Sequence, residues 1–263
     1  MRTDFEHLIV ERIDDHVLQV TYNRPDVANA KNTRMGAEQH EVFESLYVDQ
    51  EDVRCVVLTG AGKHFSAGAD LKERKGMSDA DWQRQHAIYE QGAMAVKACP
   101  VPIIAAVNGA AYGGGCETAL NCDFIYASTR ARFALTEITL GIIPGTMGTQ
   151  HLCHAAGERR AKEIIMTGEP FSAQDGYDWG IVNKVCEPET LLDEALLTAK
   201  RIAANAPLAV MRAKRSVSIA RYADPHTGYL YELEAYNRLV TTEDRREGVL
   251  AFNEKRPPEF KAR

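Results

Sequence analysis

The chain has 263 residues, of which 45% are hydrophobic and 26% charged, and a formal net charge of −6. That length can bury a full core, and those proportions are ordinary for a folded protein, which excludes disordered and fibrous classes. The acidic balance argues against a nucleic-acid partner, and no run of about 18 apolar residues is present to cross a membrane.

The N-terminal "MRTDFEHLIVERID" carries acids where a targeting segment would carry cationic or apolar residues, so a cytoplasmic location is expected. Two β-rich runs around "IDDH" read as a hairpin ending at Pro25. "TRMGAEQHEVFESLYVD" has the apolar spacing of an amphipathic helix, and "VRCVVLTGAG" reads as a strand buried on both faces. The unit recurs: "SDADWQRQHAIYEQGAMAVKAC" starts on a Ser/Asp cap and is stopped by Pro100 and Pro102, and "IIAAVNG" is a second buried strand. "DFIYAS" is a third, followed by "ARFALTEITLGIIPG". Short strands with a helix on each turn suggest coiled ββα layering in an α/β protein.

From about residue 190 the pattern is helical only, in four segments separated by Pro, Gly or a capping Thr. The division expected is therefore a core over residues 1–190 and a helical region over 191–263, with no flexible linker between them. The cysteines at 55, 99, 116, 122, 153 and 186 form no CxxC pair and read as reduced, buried thiols. His151, Cys153 and His154 are spaced for one helix turn, but a fourth ligand is missing and no metal is expected.

Two glycine-rich turns stand out, "TGAGKHFSAG" and "AAYGGGCETALNCD". Neither nucleotide motif fits the first: Val57 occupies the position of the leading glycine of a phosphate loop, and Phe65 that of the third glycine of a dinucleotide turn. Both turns follow a buried strand and precede a helix start, where unpaired N–H groups favour negative charge. Lying side by side, they would offer one N–H each to a single oxygen. Glu117 stands two residues past the three glycines, and Glu137 precedes the next Gly/Pro turn. A carboxylate among so many apolar neighbours is costly unless it is bonded or used.

The stretches "FSAGADLKE", "AAVNGAAYGGGCETALNCDFIYAS", "FALTEITLGIIPGTMGTQ", "GEPFSAQDGYDWGIVNKV" and "TTEDRREGVLAFNEKR" resemble the crotonase family, and most closely its enoyl-CoA hydratases. The resemblance runs from about residue 6 to the C-terminus. It implies a crotonase-like spiral of ββα turns with a C-terminal α-helical trimerisation region, assembled as a homotrimer or a dimer of trimers. It also implies an acyl-CoA substrate, with the coenzyme A as part of the substrate and no further cofactor. The thioester oxygen would be held by the N–H groups of Ala69 and Gly114, and Glu117 and Glu137 match the two glutamates that the hydratases use.

Coenzyme A binding falls, by the same resemblance, to Ala67, Ala69, Asp70, Lys72 and Lys255, the last from the C-terminal tail of the same or a neighbouring subunit, with Lys31 a weaker candidate. "KGMSDADWQRQHAIYE" would roof the acyl chain with Trp82, His86 or Tyr89. Met147 and His151 stand where the hydratases usually have a glycine and an arginine, and Met147 could reshape the acyl pocket. Hydration of the 2,3 double bond is the leading expectation. A double-bond isomerase, hydrolase or decarboxylase of the same fold is an alternative, as is an idle homologue acting as a scaffold or RNA-binding protein.

Overall fold

In the computed structural model, which describes all 263 residues, β1 (Leu8–Arg12) and β2 (Val17–Tyr22) pair antiparallel, with Leu8 opposite Tyr22. Asp14 closes their turn by accepting the N–H groups of His16 and Val17 at 3.0 and 2.9 Å. Helix α1 (Thr33–Val48) starts on Asn32, whose side chain accepts the Met35 N–H. Strand β3 (Cys55–Gly60) is buried throughout. It leads through the first glycine turn into the short α2 (Leu71–Arg74) and the long α3 (Asp79–Ala98), which Ser78 caps.

The next two turns repeat one plan. β4 (Ile103–Val107) lies in the large sheet, β5 (Ala110–Tyr112) in a small second sheet, and α4 (Gly114–Asn121) follows. β6 (Phe124–Ser128) and β7 (Arg132–Ala134) repeat the placement, then a 3₁₀ turn (Glu137–Leu140) and α5 (Gly148–Thr167). β8 (Phe171–Ser172), α6 (Ala173–Asp178) and β9 (Lys184–Cys186) complete the body. The six-stranded sheet has the order β1-β2-β3-β4-β6-β9 and is parallel from β2 onward, and the small sheet has the order β5-β7-β8.

Alternate side chains of the large sheet go to two separate cores, as the unbroken apolar runs require. Val56 and Leu58 of β3 and Ile103 and Ala105 of β4 face Phe43 and Leu46 of α1 and Val96 of α3. Cys55, Val57, Ile104 and Ala106 face the opposite way, onto Leu191, Ala195, Ala199 and Ala203 of α7 (Leu191–Ala203). The first helix of the region expected to begin at residue 191 thus packs on the body. Helix α7 is a wall of the body, because the second face of a parallel sheet must be covered. Only α8 (Pro207–Ile219), α9 (Pro225–Val240) and α10 (Glu243–Glu254) lie beyond it. Lys214 ties α8 to the body through Asp123 at 2.7 Å and the Val101 carbonyl at 2.9 Å.

Candidate active site

The small sheet brings the two glycine turns together: Ser66 bridges Ala111 in parallel, and the Tyr112 N–H donates to the Ser66 carbonyl at 2.9 Å. Each glycine has its own reason. Gly68 has φ 87°, and a Cβ there would lie 2.7 Å from the Tyr112 carbonyl oxygen and 3.2 Å from the Gly114 nitrogen. Gly113 has φ 51° and approaches Glu137, while a Cβ on Gly115 would strike the Ser66 carbonyl oxygen at 2.2 Å. Gly114 borders open space, and neither its N–H nor that of Ala69 finds an acceptor within the chain. Two unpaired N–H groups on adjoining turns therefore line one cavity of about 690 Å³.

Both glutamates line that cavity too. Glu117, in the first turn of α4, is 3% exposed. Its Oε1 accepts the N–H groups of Thr146 and Gly148 at 2.7 and 2.9 Å, and its other oxygen has no protein partner. Glu137 begins the 3₁₀ turn, and its Oε2 is buried without a partner. Burial and, less strongly, the charge of Glu117 push its pKa up to about 7, against a hydrogen bond from its own backbone. One oxygen set is thus held as an acceptor, and the other carboxyl keeps its proton near neutrality.

Ala67, Ala69, Trp82, His86 and Tyr89 also line the cavity. Between the aromatics stands Arg74, 8% exposed, with its guanidinium carbon 4.1 Å from the Trp82 ring centre and 5.5 Å from that of Tyr89. Its Nε donates to Gln85 Oε1 at 2.8 Å, and Gln85 is held in turn by Thr33 and Glu73.

Three of the residues expected to bind coenzyme A, Asp70, Lys72 and Lys255, do not line the cavity. The Asp70 side chain caps α2 and pairs with Arg24 at 2.9 Å, which commits it to the loop's own structure. Lys72 and Lys255 are exposed and do not border the cavity. Lys31 does border it, but as a buried group: its ammonium donates to Gln39 at 2.7 Å and Thr118 at 3.2 Å. A mobile phosphate-binding lysine does not fit that placement. Burial brings its pKa down to about 8, partly offset by the nearby Glu117 charge.

Met147 is not among the lining residues. It is half-buried and caps α5 with φ 75°, a left-handed conformation in which glycine is unstrained. That turn aims the N–H groups on either side of Met147 at Glu117. His151 is buried and accepts from Arg221 at 2.9 Å, with its pKa brought down to about 3 by burial and then by the charges of Lys97 and Arg221. It is a neutral acceptor outside the cavity.

A family model described as Enoyl-CoA hydratase/isomerase matches residues 12–263. The chain belongs to the enoyl-CoA hydratase/isomerase family. The short-chain-enoyl-CoA hydratase of Clostridium acetobutylicum is 39% identical, over 99% of this chain and 100% of its own. The 2,3-dehydroadipyl-CoA hydratase of Escherichia coli is 38% identical, over 97% of this chain and 99% of its own. Among solved structures, an enoyl-CoA hydratase from Bacillus anthracis superposes with a TM-score of 0.96 at 40% identity, covering 98% of this chain and 100% of that one. The α/β crotonase fold expected from the motifs is the fold observed.

Within this family member the glycine and glutamate motifs were legible, but Arg74, Thr146 and Gly148 were not. Arg74 lies in "DLKER", which reads as a solvated charge run. Thr146 and Gly148 act through backbone N–H groups, which leave no residue-type signature.

Proposed function

We propose that this protein is an enoyl-CoA hydratase, adding water across the 2,3 double bond of an enoyl-CoA thioester and, in reverse, dehydrating the 3-hydroxyacyl thioester. The observation that carries this reading is the convergence in one cavity of two unpaired N–H groups, an acceptor carboxylate and a carboxyl that holds its proton near pH 7.

In the hydration direction, Glu117 takes a proton from water as the water oxygen bonds to C3. The electron pair of the double bond moves into the thioester, and the enolate oxygen is held by the N–H groups of Ala69 and Gly114. Glu137 gives its proton to C2. The product leaves Glu117 protonated and Glu137 ionised, and proton exchange with solvent resets both. Addition of water needs only proton transfers and the new C3–O bond, with no change of redox state, so no cofactor is invoked; coenzyme A arrives with the substrate.

A double-bond isomerase needs one carboxylate to move a proton along the chain, so two carboxyls facing the same cavity favour hydration. Loss of enoyl thioester absorbance with crotonyl-CoA tests the assignment. Glu117→Gln and Glu137→Gln should each lower the rate by about 10² to 10⁴. Full activity in either variant, or no hydration by the wild type of any chain in a short panel, refutes it.

The same reading includes assembly as a trimer or a dimer of trimers. Tyr229, Leu233 and Tyr236 of α9 and Val249 and Phe252 of α10 are exposed, an apolar surface of the kind that subunits cover. Sedimentation of the purified protein as a monomer would refute it.

A further inference from the structure

Arg74 is a buried cation that the hydration chemistry does not use. It is 8% exposed and forms no ion pair. The neighbouring Glu73 makes no hydrogen bond or ion pair with it: Glu73 Oε2 is taken by the Thr33 N–H at 2.9 Å and the Gln85 amide at 2.7 Å, and its charge reaches Arg74 only at longer range. The only side-chain hydrogen bond of Arg74 runs from Nε to Gln85, and its two terminal nitrogens make none. Arg24 and Arg256, both less buried, are matched by carboxylates: Arg24 has Asp70, and Arg256 has both oxygens of Glu247.

An unpaired buried charge is costly, and Trp82 at 4.1 Å offsets that cost only in part. Burial lowers the pKa of Arg74, but a guanidinium remains charged at any physiological pH. The aromatic contact covers a face of the plane and Gln85 fixes the Nε side. What is left over is the edge bearing the terminal N–H groups, the fork that matches a carboxylate. Arg74 borders the same cavity as Glu117 and Glu137, in the wall formed with Trp82 and Tyr89.

We infer that the acyl chain of the substrate ends in a carboxylate, and that Arg74 receives it. This rests on the hydratase reading for the identity of the thioester, and it names the class of acyl group within it. An alkyl chain would strip the remaining water from the guanidinium and return no partner, so the same residue that attracts the anionic chain opposes the plain one.

Calorimetric titration of the full-length protein with adipyl-CoA and hexanoyl-CoA tests the inference. The two ligands share a chain length and differ by the terminal carboxylate, and neither can be hydrated. The wild type should bind adipyl-CoA more tightly. Arg74→Met should shift the ratio of the two affinities by on the order of 100-fold, weakening adipyl-CoA and strengthening hexanoyl-CoA, while Arg74→Lys retains part of the preference. Equal or tighter binding of hexanoyl-CoA by the wild type overturns the inference without recourse to any variant. So does an Arg74→Met protein that loses affinity for both ligands and for free coenzyme A alike, since the guanidinium would then be holding a phosphate. Hydration of the 2-enoyl forms of the same two chains separates the two readings. A preference for adipyl-CoA with no hydration of either enoyl form sinks the hydratase assignment alone. Hydration with no preference sinks the carboxylate alone.

Discussion

Replacing Glu137 by glutamine should remove a pH-dependent loss of stability that the wild type carries. The native carboxyl is pushed up to about 7 from an ordinary value of 4.5, chiefly by burial, with the charge of Glu117 a smaller contribution. Below pH 4.5 both the folded and the unfolded chain hold the proton, and the two proteins differ by a constant. Between 4.5 and about 7 the unfolded chain releases its proton while the folded chain keeps it, so wild-type stability falls as the pH rises. Above about 7 both states are ionised and the loss is complete. At roughly 1.36 kcal/mol per pH unit, the interval from 4.5 to about 7 amounts to about 3 kcal/mol. Glutamine is neutral throughout and has no such term.

Urea unfolding of both proteins at a series of pH values, at one fixed protein concentration, reads this difference. The advantage of Glu137→Gln should grow by about 3 kcal/mol across the interval and then level off. A difference flat to within about 0.5 kcal/mol would refute the account of Glu137 as a carboxyl buried in its protonated form. The same titration belongs in the kinetics. In its proposed role as proton donor in hydration, Glu137 should give a kcat/KM that declines above about pH 7, where the donor form is depleted.

Two further substitutions probe the surroundings of Glu117. A Cβ on Gly148 would lie 2.9 Å from the Glu117 Oε1 that its N–H now holds, so Gly148→Ala must displace that carboxylate. We expect about a 10²-fold fall in kcat with little change in KM, and a rate near that of the wild type would show that the anchoring of Glu117 is immaterial. Lys31→Met should stabilise the protein at pH 7 by ~2 kcal/mol, because the native ammonium titrates near 8 against 10.5 and Gln39 keeps its bond from the Tyr22 hydroxyl. The advantage should shrink as the pH rises from 8 to 10.5, where the folded chain is already neutral at Lys31 and the unfolded chain is not. Thermal unfolding at pH 7 and pH 10 checks it, and a destabilised variant would mean that the ammonium is a net asset to the fold.

Local pattern sufficed for much of the fold. Unbroken apolar runs announced strands with two covered faces, and the Ser/Asp cap and the capping Thr marked helix starts, because these signals act within a few residues of chain. The same locality left open where the helices after residue 190 pack. The apolar stripe of α7 tells that it is covered, but not that the rear of the large sheet covers it. The small sheet was missed because its strands are two or three residues long, too short to show a period.

By itself, then, the sequence determined the inventory of the candidate site: two glycine turns, each opening a helix, and two glutamates placed beside such turns. Those are statements about residue type and short spacing. Only the tertiary structure decided which groups face each other. It set Gly68 against Gly114, so that two N–H groups share one cavity, and turned Lys31 inward to Gln39 and Thr118. It took Met147 out of the cavity wall and brought Arg74 in, between Trp82 and Tyr89, with no carboxylate of its own. A charge in a short polar run looks solvated until the packing of other elements removes the water, and that removal is a property of the assembled fold.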